Sequence, residues 1–482
     1  MEQYDAVIIG SGYGGSIPAA RLAEAGMSVL VLERGPRYAA ADFEQSDDPR
    51  YIQRIVDLVL SKTNVAFRTG KMVGGASIPM DGAHFRMPER SFEVEDGLGR
   101  RYWPAVYSRA MLDPYYERAE QMLSVRQLAW TEISKAGGLF AKMLDTVGAS
   151  AERARLNYTD CRQCGFCAQG CIYGKKQSLL YNYIPLAESH GAEFRAGCFV
   201  DHLEPVKGGY LVYYERFGVG RRAFARRVFV AGGGIHTPAL LLRSQNWLPA
   251  LSSHVGEHFN NNGEHAFLGI LPPEFDDLSS YLCWKGMDNA GVMSFHWFDT
   301  HDFTLHPGGG IEPTVFAADF AAPADAVLPS RAWGMPYKRF VETVYPHRII
   351  AFSALGLAEG HRAVAIDDAG APDMVERARS AYDAYLDRIE VVMADLEAQT
   401  GVRLLPTVPR PLAGTTSAHL LCSCRMAESA ADGVVDPDGQ VFGYENLYVC
   451  DASALSFALG VNPALTISAI AERTAELAIA KG

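Results

Sequence analysis

The stretch that decides the fold lies close to the amino terminus and reads Asp5-Ala6-Val7-Ile8-Ile9-Gly10-Ser11-Gly12-Tyr13-Gly14-Gly15. Its first five residues form a short apolar run, as a buried parallel strand requires. A GxGxxG pattern follows, and an amphipathic helix is predicted from about Gly14 to Ala25, with Gly26 as its stop signal. Residues 27–32 (MSVLVL) have the pattern of a second strand. The chain is therefore predicted to open with a complete β–α–β unit.

The glycines of this pattern suit a dinucleotide. Gly10 permits a tight turn, Gly12 lets the backbone approach a pyrophosphate, and Gly15 allows close helix–strand packing. The helix start supplies free N–H groups and a positive dipole end. Glu33 ends the second strand, where a carboxylate accepts both ribose hydroxyls and disfavours a 2′-phosphate. The position at the extreme amino terminus favours FAD, and a purely structural glycine turn is the alternative.

Composition excludes several other classes of protein. The 482 residues can hold two or three domains, and the formal charge of −12 disfavours nucleic acid as a partner. No apolar run reaches the length of a membrane span, and no basic segment with a long apolar run precedes the first strand. We therefore expect a cytoplasmic enzyme. Without repeats or low-complexity linkers, its domains are predicted to be interleaved.

The remaining pattern is mixed. Residues 37–71 are predicted to be polar and then helical, and Arg227–Gly234 to form a strand and glycine turn with a helix after Pro238. Aromatic and extended runs over about 265–360 suit an antiparallel sheet. An apolar stripe within 373–399 has helical spacing and indicates core packing. The last forty residues return to a strand at 447–449 and a long helix at 463–479.

Three further segments are shared with one family. They are Gly74-Gly75-Ala76-Ser77, the strand and turn Val230–Gly234, and the run from Asp451-Ala452-Ser453 through Gly460-Val461-Asn462-Pro463 to Thr466-Ile467. Together they resemble the glucose–methanol–choline (GMC) oxidoreductase family. Within it the chain is most similar to the class I cholesterol oxidase branch, most clearly at Gly443–Val449 and Leu459–Pro463.

The resemblance implies an α/β fold with a Rossmann-type FAD-binding domain and an interleaved α+β substrate domain, whose antiparallel sheet is covered by helices. Residues 1–265 would be mainly FAD-binding, 266–405 mainly substrate-binding, and 406–482 would return to the FAD domain. The implied reaction is hydride transfer from an alcohol carbon to flavin N5. Oxygen or a redox partner would then take the electrons.

The resemblance also implies site residues. His419 matches the active-site histidine, and Asn462 the second catalytic position. Imidazole can take the alcohol proton, and a fixed amide can orient the substrate oxygen. The alternatives are a satisfied core histidine and an asparagine that starts a turn before Pro463.

Asp451 matches a position near the ribityl chain, and Val200 the place where backbone groups meet the adenine. The full set predicted to bind the cofactor is Gly10, Gly12, Tyr13, Gly14, Gly15, Glu33, Arg34, Gly74, Gly75, Ser77, Val200, Ala231, Gly232, Asp451, Ala452, Asn462, Pro463 and Thr466.

The chain departs from the family pattern in ways that argue against a sterol substrate. Leu420, Cys422 and Ser423 replace a Pro and two glycines after the histidine. Met80 replaces an Asn near the flavin. At the position of the carboxylate that cholesterol oxidases use for isomerisation, this chain has Ala318, and Asp319 is the next residue.

Four cysteines with ferredoxin-like spacing, Cys161, Cys164, Cys167 and Cys171, form a separate motif. They can hold an iron–sulfur cluster, serve as a thiol or disulfide loop, or bind zinc. Some dehydrogenases of the family place a cluster in such a segment, whereas some alcohol oxidases carry similar cysteines without one.

Three functions therefore remain open at this point. They are an FAD-dependent alcohol oxidase or dehydrogenase, an FAD and iron–sulfur dehydrogenase that passes electrons to a partner, and a non-redox flavoprotein lyase. Eight aromatic residues are compatible with a bulky or aromatic alcohol substrate or simply with a well-packed domain: Tyr281, Trp284, Phe295, Trp297, Phe303, Trp333, Tyr337 and Phe340.

Overall fold

The computed structural model describes residues 1–60, 66–309 and 334–481, so Ala318, Asp319 and Trp333 lie outside the described residues. The strands are β1 (Glu2–Ile9), β2 (Val29–Leu32), β3 (Val56–Leu60), β4 (Ala66–Gly70), β5 (Arg126–Gln127), β6 (Glu152–Arg153), β7 (Arg155–Leu156), β8 (Glu193–Arg195), β9 (Cys198–Val206), β10 (Gly209–Arg216), β11 (Val219–Val230), β12 (His265–Ile270), β13 (Val292–Met293), β14 (Phe303–Gly308), β15 (Ile349–Gly356), β16 (Arg362–Ile366), β17 (Pro372–Glu376), β18 (Arg403–Pro406), β19 (Thr416–Ser417) and β20 (Leu447–Val449).

The α-helices are α1 (Tyr13–Glu24), α2 (Pro49–Ile55), α3 (Arg109–Met122), α4 (Lys135–Thr146), α5 (Tyr183–Ser189), α6 (Gly233–Arg243), α7 (Phe298–His301), α8 (Met335–Arg339), α9 (Tyr345–Arg348), α10 (Ser380–Thr400) and α11 (Ala464–Ala480). Within the described residues, no helix combines the length and apolarity needed to cross a membrane.

The first sheet has the strand order β8-β2-β1-β11-β10-β9, and β20 pairs with β11. Strands β8, β2, β1, β11 and β20 are mutually parallel at each pairing, whereas β10 is antiparallel to both of its neighbours. The apolar end of β1 pairs through Ile9 with Val230 on one side and Leu32 on the other. Amino-terminal, central and carboxy-terminal segments therefore share one sheet, as a Rossmann-type fold with interleaved segments predicts.

The second sheet is antiparallel, with the order β14-β15-β12-β18. Buried residues of α4 and α10, among them Phe140, Tyr385 and Ile389, pack with Phe267 and Phe352 of this sheet in one hydrophobic core. The antiparallel sheet expected over 265–360 is therefore confirmed, and the apolar stripe within 373–399 is core packing on helix α10.

Two local predictions were wrong. Residues 56–60 and 66–70 form the hairpin β3–β4, where the sequence suggested a helix; they are β-paired with each other, and β4 also pairs with β19. Helix α6 begins at Gly233 and contains Pro238. Proline cannot donate to the carbonyl four residues earlier, and the Ser423 hydroxyl donates to that Gly234 carbonyl instead, at 2.5 Å. A long-range contact thus lets the helix continue through the proline.

Candidate active site

The first glycine turn is tightly enclosed on three sides. A Cβ atom on Gly10, whose φ is +99°, would stand 2.3 Å from the Ala231 carbonyl oxygen and 3.2 Å from the Gly232 nitrogen. One on Gly15 would stand 2.0 Å from the Gly10 oxygen, and one on Gly14 would stand 2.6 Å from the Asp451 Cβ. Only glycine fits at these positions, because the turn is where three segments of the chain meet.

The second glycine loop lies against the first. Gly74 and Gly75 have φ of +96° and +53°, and a Cβ on Gly75 would stand 2.9 Å from the Gly12 Cα. The Gly74 N–H donates to the Ser11 hydroxyl at 3.0 Å, and the Ser77 hydroxyl donates to the Gly74 carbonyl at 2.7 Å. The loop thus closes over the turn that precedes α1.

Gly12 differs from the other glycines because nothing lies within 4 Å of a Cβ built on it. It is the N-cap of α1, so the open space adjoins the helix N-terminus and its unpaired N–H groups. A space of this kind beside a glycine is where a pyrophosphate can approach the backbone. The turn therefore fits the dinucleotide that the sequence predicts.

Glu33 is buried, and its carboxylate ties this turn together. One oxygen accepts hydrogen bonds from the Ser11 N–H at 3.1 Å and the Ser11 hydroxyl at 2.7 Å, and the other accepts from the Gly35 N–H at 2.8 Å. Burial raises the pKa of this carboxyl, and the hydrogen bonds oppose the rise. Glu33 thus fixes the Ser11 turn besides standing at the predicted ribose position.

Both carboxylate oxygens of Asp451 accept hydrogen bonds from other residues of the protein. One carboxylate oxygen accepts from the Gly233 N–H and the Thr237 hydroxyl, both at 2.6 Å. The other accepts from the Ser453 N–H at 2.8 Å and its hydroxyl at 2.5 Å. Burial raises its pKa against these hydrogen bonds. The side chain therefore joins the end of β20 to the start of α6.

Other residues of the predicted set have partners within the protein. Arg34 Nη2 lies 2.7 Å from the Asp57 carboxylate, and the Val200 carbonyl accepts from Arg243 Nη2 at 3.0 Å. The Tyr13 hydroxyl stands 2.9 Å from the Met80 sulfur. Two contacts of the carboxy-terminal part complete the set: the Ala452 carbonyl accepts from the Cys422 N–H at 3.1 Å, and Thr466 Oγ1 lies 3.0 Å from the Tyr116 hydroxyl.

His419 lies just after the short strand β19, in a polar environment. Its backbone N–H donates to the Ser417 hydroxyl at 2.8 Å, and that hydroxyl donates to Glu264 Oε2 at 2.6 Å. His419 Nδ1 is buried, has no hydrogen-bond partner, and stands 3.6 Å from the same Glu264 oxygen. Within the described residues, no hydrogen bond engages Nε2 either. The imidazole thus has Nδ1 beside the Glu264 carboxylate, and its Nε2 atom is free of protein partners among the described residues.

Asn462 immediately precedes Pro463, the N-cap of α11. The side chain is 3% exposed, and its Oδ1 atom is buried without a hydrogen-bond partner. A buried amide oxygen in this state costs free energy unless a ligand or water satisfies it. Both predicted catalytic residues therefore carry unsatisfied polar atoms.

Sequence reasoning missed the segment Asn260–Glu264, which contacts the backbone around both of these residues. Asn260 exchanges backbone hydrogen bonds with Leu421, at 3.0 and 2.9 Å. The Asn262 side chain donates to the Val461 carbonyl and accepts from the Leu459 N–H, both at 2.8 Å. Three consecutive asparagines were the only signal in the sequence, and nothing in their spacing indicates this role.

His306 was also missed. It lies on β14, is buried, and its Nε2 atom has no hydrogen-bond partner. Its pKa is lowered to about 4, mainly by burial; the nearby His419 also lowers it, whereas Asp81 and Glu264 raise it. A second, neutral imidazole therefore shares the electrostatic environment of His419.

The four clustered cysteines do not form a metal centre. They line one small pocket, all as free thiols, yet across the described parts of the chain no group of three or more His, Cys, Asp or Glu is arranged to hold a metal ion. Burial raises the pKa of Cys161, and raises that of Cys167 to about 12, so these thiols stay protonated near neutral pH in the metal-free protein. Among the described residues, the cysteines are therefore not arranged as the iron–sulfur or zinc site that the sequence left open alongside a thiol or disulfide loop.

The segment is instead anchored by a buried lysine. The Lys176 ammonium donates to the carbonyls of Ile78, Met80 and Cys167, at 2.5, 2.7 and 2.8 Å. These contacts tie the cysteine loop to the residues that follow the Gly74–Ser77 turn. The aromatic residues Tyr281, Trp297 and Phe303 belong to the core of the second sheet, which is the packing role considered for them.

Comparison with known proteins agrees with this geometry. Two family models described as GMC oxidoreductase match residues 4–261 and 369–471. The chain belongs to the GMC oxidoreductase family. GMC oxidoreductases are FAD-dependent enzymes that act on alcohol groups, and the chain is an enzyme of this kind.

Curated relatives match the GMC chain over almost its whole length. A cholesterol oxidase of Mycobacterium tuberculosis is 28% identical, covering 99% of this chain and 92% of its own. One of Acinetobacter baumannii is 26% identical, covering 98% and 93%. A long-chain-alcohol oxidase of Arabidopsis thaliana is 27% identical, covering 97% and 67%.

A solved structure, pyridoxine 4-oxidase from Mesorbium loti, covers 98% of both chains with a TM-score of 0.65 and 16% identity. At this identity the match supports the fold. It agrees with a Rossmann-type sheet combined with a second, antiparallel sheet.

Proposed function

We propose that this GMC oxidoreductase oxidises the CH–OH group of a small-molecule alcohol, with His419 as the proton acceptor and Asn462 orienting the hydroxyl. The observation that carries the proposal is the pair of unsatisfied polar side chains, His419 and Asn462. The segment Asn260–Glu264 bonds to residues close to each of them in the chain, to Leu421 and to Val461. The relatives named as cholesterol and long-chain-alcohol oxidases support an alcohol as the substrate class.

FAD, when bound, supplies the acceptor for the hydride that leaves the alcohol carbon. His419 Nε2, free of protein partners among the described residues, takes the hydroxyl proton as the C–H bond breaks. The Asn462 amide holds the substrate oxygen so that it stays in line with the imidazole. His306, neutral above about pH 4, adds no positive charge that would repel a proton from His419.

The cofactor-binding roles follow the same reasoning. We place the pyrophosphate over the open face of Gly12 at the N-terminus of α1, enclosed by Gly74 and Gly75. Segments 1–265 and 406–482 would then hold the FAD, and 266–405 would supply most of the substrate pocket. Oxygen or a redox partner would take the electrons.

The test is anaerobic flavin reduction by an alcohol in the His419→Gln variant. We expect normal FAD content and a reduction rate lowered by about 10²–10⁴-fold, as is usual when a general base is removed. His190→Gln, at the exposed end of α5, is the matched control and should reduce like the wild type. A reduction rate in His419→Gln within twofold of wild type would remove His419 from the mechanism.

A further inference from the structure

Glu264 is the carboxylate that faces the proposed base. It stands at the end of the loop before β12, and its Oε2 atom lies 3.6 Å from His419 Nδ1. The Glu264 side chain is 20% exposed and that of His419 is 12% exposed, so water screens the pair only weakly. The separation is just longer than a hydrogen bond, and a small movement of either side chain would close it.

The same Glu264 oxygen is held in place by Ser417. The Ser417 hydroxyl donates to it at 2.6 Å and accepts from the His419 backbone N–H at 2.8 Å. A single hydroxyl group of Ser417 thus holds both the Glu264 carboxylate and the backbone of His419 in place. Residues 417, 419 and 264 form a closed polar unit, although 153 residues separate the serine from the glutamate.

The backbone that carries Glu264 is also held firmly. Asn262, two residues earlier, accepts from the Leu459 N–H and donates to the Val461 carbonyl, both at 2.8 Å. Asn260 pairs with Leu421 through two backbone hydrogen bonds. The carboxylate therefore sits on a segment that is fastened to the loops of both His419 and Asn462.

An imidazole can accept a substrate proton only at a nitrogen that carries no hydrogen. Since Nδ1 of His419 is the buried nitrogen that faces Glu264, a carboxylate there favours the form with hydrogen on Nδ1 and leaves Nε2 as the acceptor. The other titratable groups in the same environment are His306 on β14 and Asp81. Since His306 Nε2 makes no hydrogen bond, the carboxylate of Glu264 is the acceptor that the structure places beside His419 Nδ1.

We propose that Glu264 is a positioning residue that fixes the tautomer of His419 and stabilises the imidazolium formed when His419 takes the alcohol proton. Ser417 supports it by fixing the carboxylate. This inference rests on the proposed function, because it concerns the same histidine. It goes further by adding a charge to the catalytic unit that neither the sequence pattern nor the family match assigns.

The first experiment measures the tautomer and needs no substrate. Holoenzyme labelled with ¹⁵N-histidine is examined by NMR, with His419→Gln used to assign the His419 signals. We expect the wild type to carry hydrogen on Nδ1 and Glu264→Gln to lose this preference. A wild-type His419 with hydrogen on Nε2, or a preference unchanged in Glu264→Gln, would overturn the inference even if no alcohol proved to be a substrate.

The second experiment compares anaerobic flavin reduction in Glu264→Gln, Glu264→Asp and the exposed control Glu274→Gln. We expect full FAD content, substrate affinity within about twofold, and a reduction rate lowered about 10–100-fold in Glu264→Gln, with partial recovery in Glu264→Asp. The pH profile of the rate should move to lower pH in Glu264→Gln, because the imidazolium formed in the reaction loses its neighbouring charge.

An unchanged pH profile in Glu264→Gln, or a rate loss matched by loss of FAD, would show that Glu264 is merely structural and would overturn the proposal. A wild type that no alcohol reduces would instead contradict the proposed function, and the tautomer measurement would still decide the role of Glu264.

Discussion

Gly15 lies so close to Gly10 that a Cβ atom on Gly15 would stand 2.0 Å from the Gly10 carbonyl oxygen. The contact fixes how α1 leaves the end of β1. Gly12, between the two, has no atom within 4 Å of the corresponding position, and its φ of −71° suits any residue. One motif thus contains glycines needed for two different reasons, packing and ligand approach.

The first prediction separates these reasons. Gly12→Ala should fold normally but lose FAD affinity by at least about tenfold, since the methyl group would occupy space that the pyrophosphate needs. Gly15→Ala should instead lose about 1–3 kcal/mol of stability through overpacking. Flavin content and urea denaturation of both variants check this. A Gly12→Ala protein that binds FAD like the wild type would contradict the assigned phosphate position.

A second prediction concerns Glu472, which is fully buried on α11. Its carboxylate receives two hydrogen bonds from Arg21, at 2.7 and 2.8 Å, and one from the Tyr183 hydroxyl at 2.6 Å. Glu472→Ala should cost about 3 kcal/mol, because it removes the fully buried carboxylate that Arg21 and the Tyr183 hydroxyl share, and leaves Arg21 only its contact with Glu24. Glu476→Ala, on the same helix and 49% exposed, should cost less than about 1 kcal/mol. Equal losses of unfolding free energy in Glu472→Ala and Glu476→Ala would show that the buried network contributes no more to stability than the exposed carboxylate.

Much of the fold was predictable because its signals are local. The β–α–β unit around Gly10–Gly15 and the stripe on α10 follow from periodicity and turn chemistry alone. Helix α6 continues through Pro238 because the Ser423 hydroxyl, distant in sequence, donates a hydrogen bond to the Gly234 carbonyl. No local sequence pattern reveals such a contact.

The site was predictable only in part for the same reason. His419 and Asn462 were predicted from a family resemblance, whereas Glu264 and His306 come near His419 only through tertiary packing. The cysteine spacing left a cluster, a thiol or disulfide loop and zinc open, because spacing does not determine how the folded chain arranges the four thiols around a metal.

A third prediction follows from buried histidines. Burial lowers the pKa of six of them to about 3 or about 4: His84, His236, His258, His265, His306 and His361. Between about pH 6.5 and 4 the unfolded chain binds protons at these sites and the folded chain does not, so stability falls as the pH falls through this window. Burial raises the pKa of four carboxyls, Glu33, Asp288, Asp436 and Asp451, which acts in the opposite direction through fewer groups.

Urea denaturation of the holoenzyme should therefore give a lower midpoint at pH 5 than at pH 7.5. Between pH 7.5 and 8.5, where none of these imidazoles titrates, the midpoint should change little. A midpoint at pH 5 as high as that at pH 7.5 would show that the imidazoles are not held neutral by burial.

A fourth prediction concerns the cysteine segment. Purified holoenzyme should contain no stoichiometric iron or acid-labile sulfide, because in the described residues no three His, Cys, Asp or Glu side chains are arranged to hold a metal ion. Cys161→Ser should then keep the flavin spectrum and the reduction rate of the wild type. Metal analysis that found three or four iron atoms per chain would contradict this account and restore the electron-relay function.

The central claim is that the chain passes a hydride from an alcohol to bound FAD, and anaerobic reduction of the flavin tests it most directly. Holoenzyme is mixed anaerobically with primary and secondary alcohols, one at a time. The absorbance of the oxidised flavin, at roughly 450 nm, is followed during each reaction. We predict that at least one alcohol bleaches the band and yields the matching aldehyde or ketone, with one product per FAD. A band that stays unbleached while an alcohol is consumed would contradict the account and indicate a non-redox lyase.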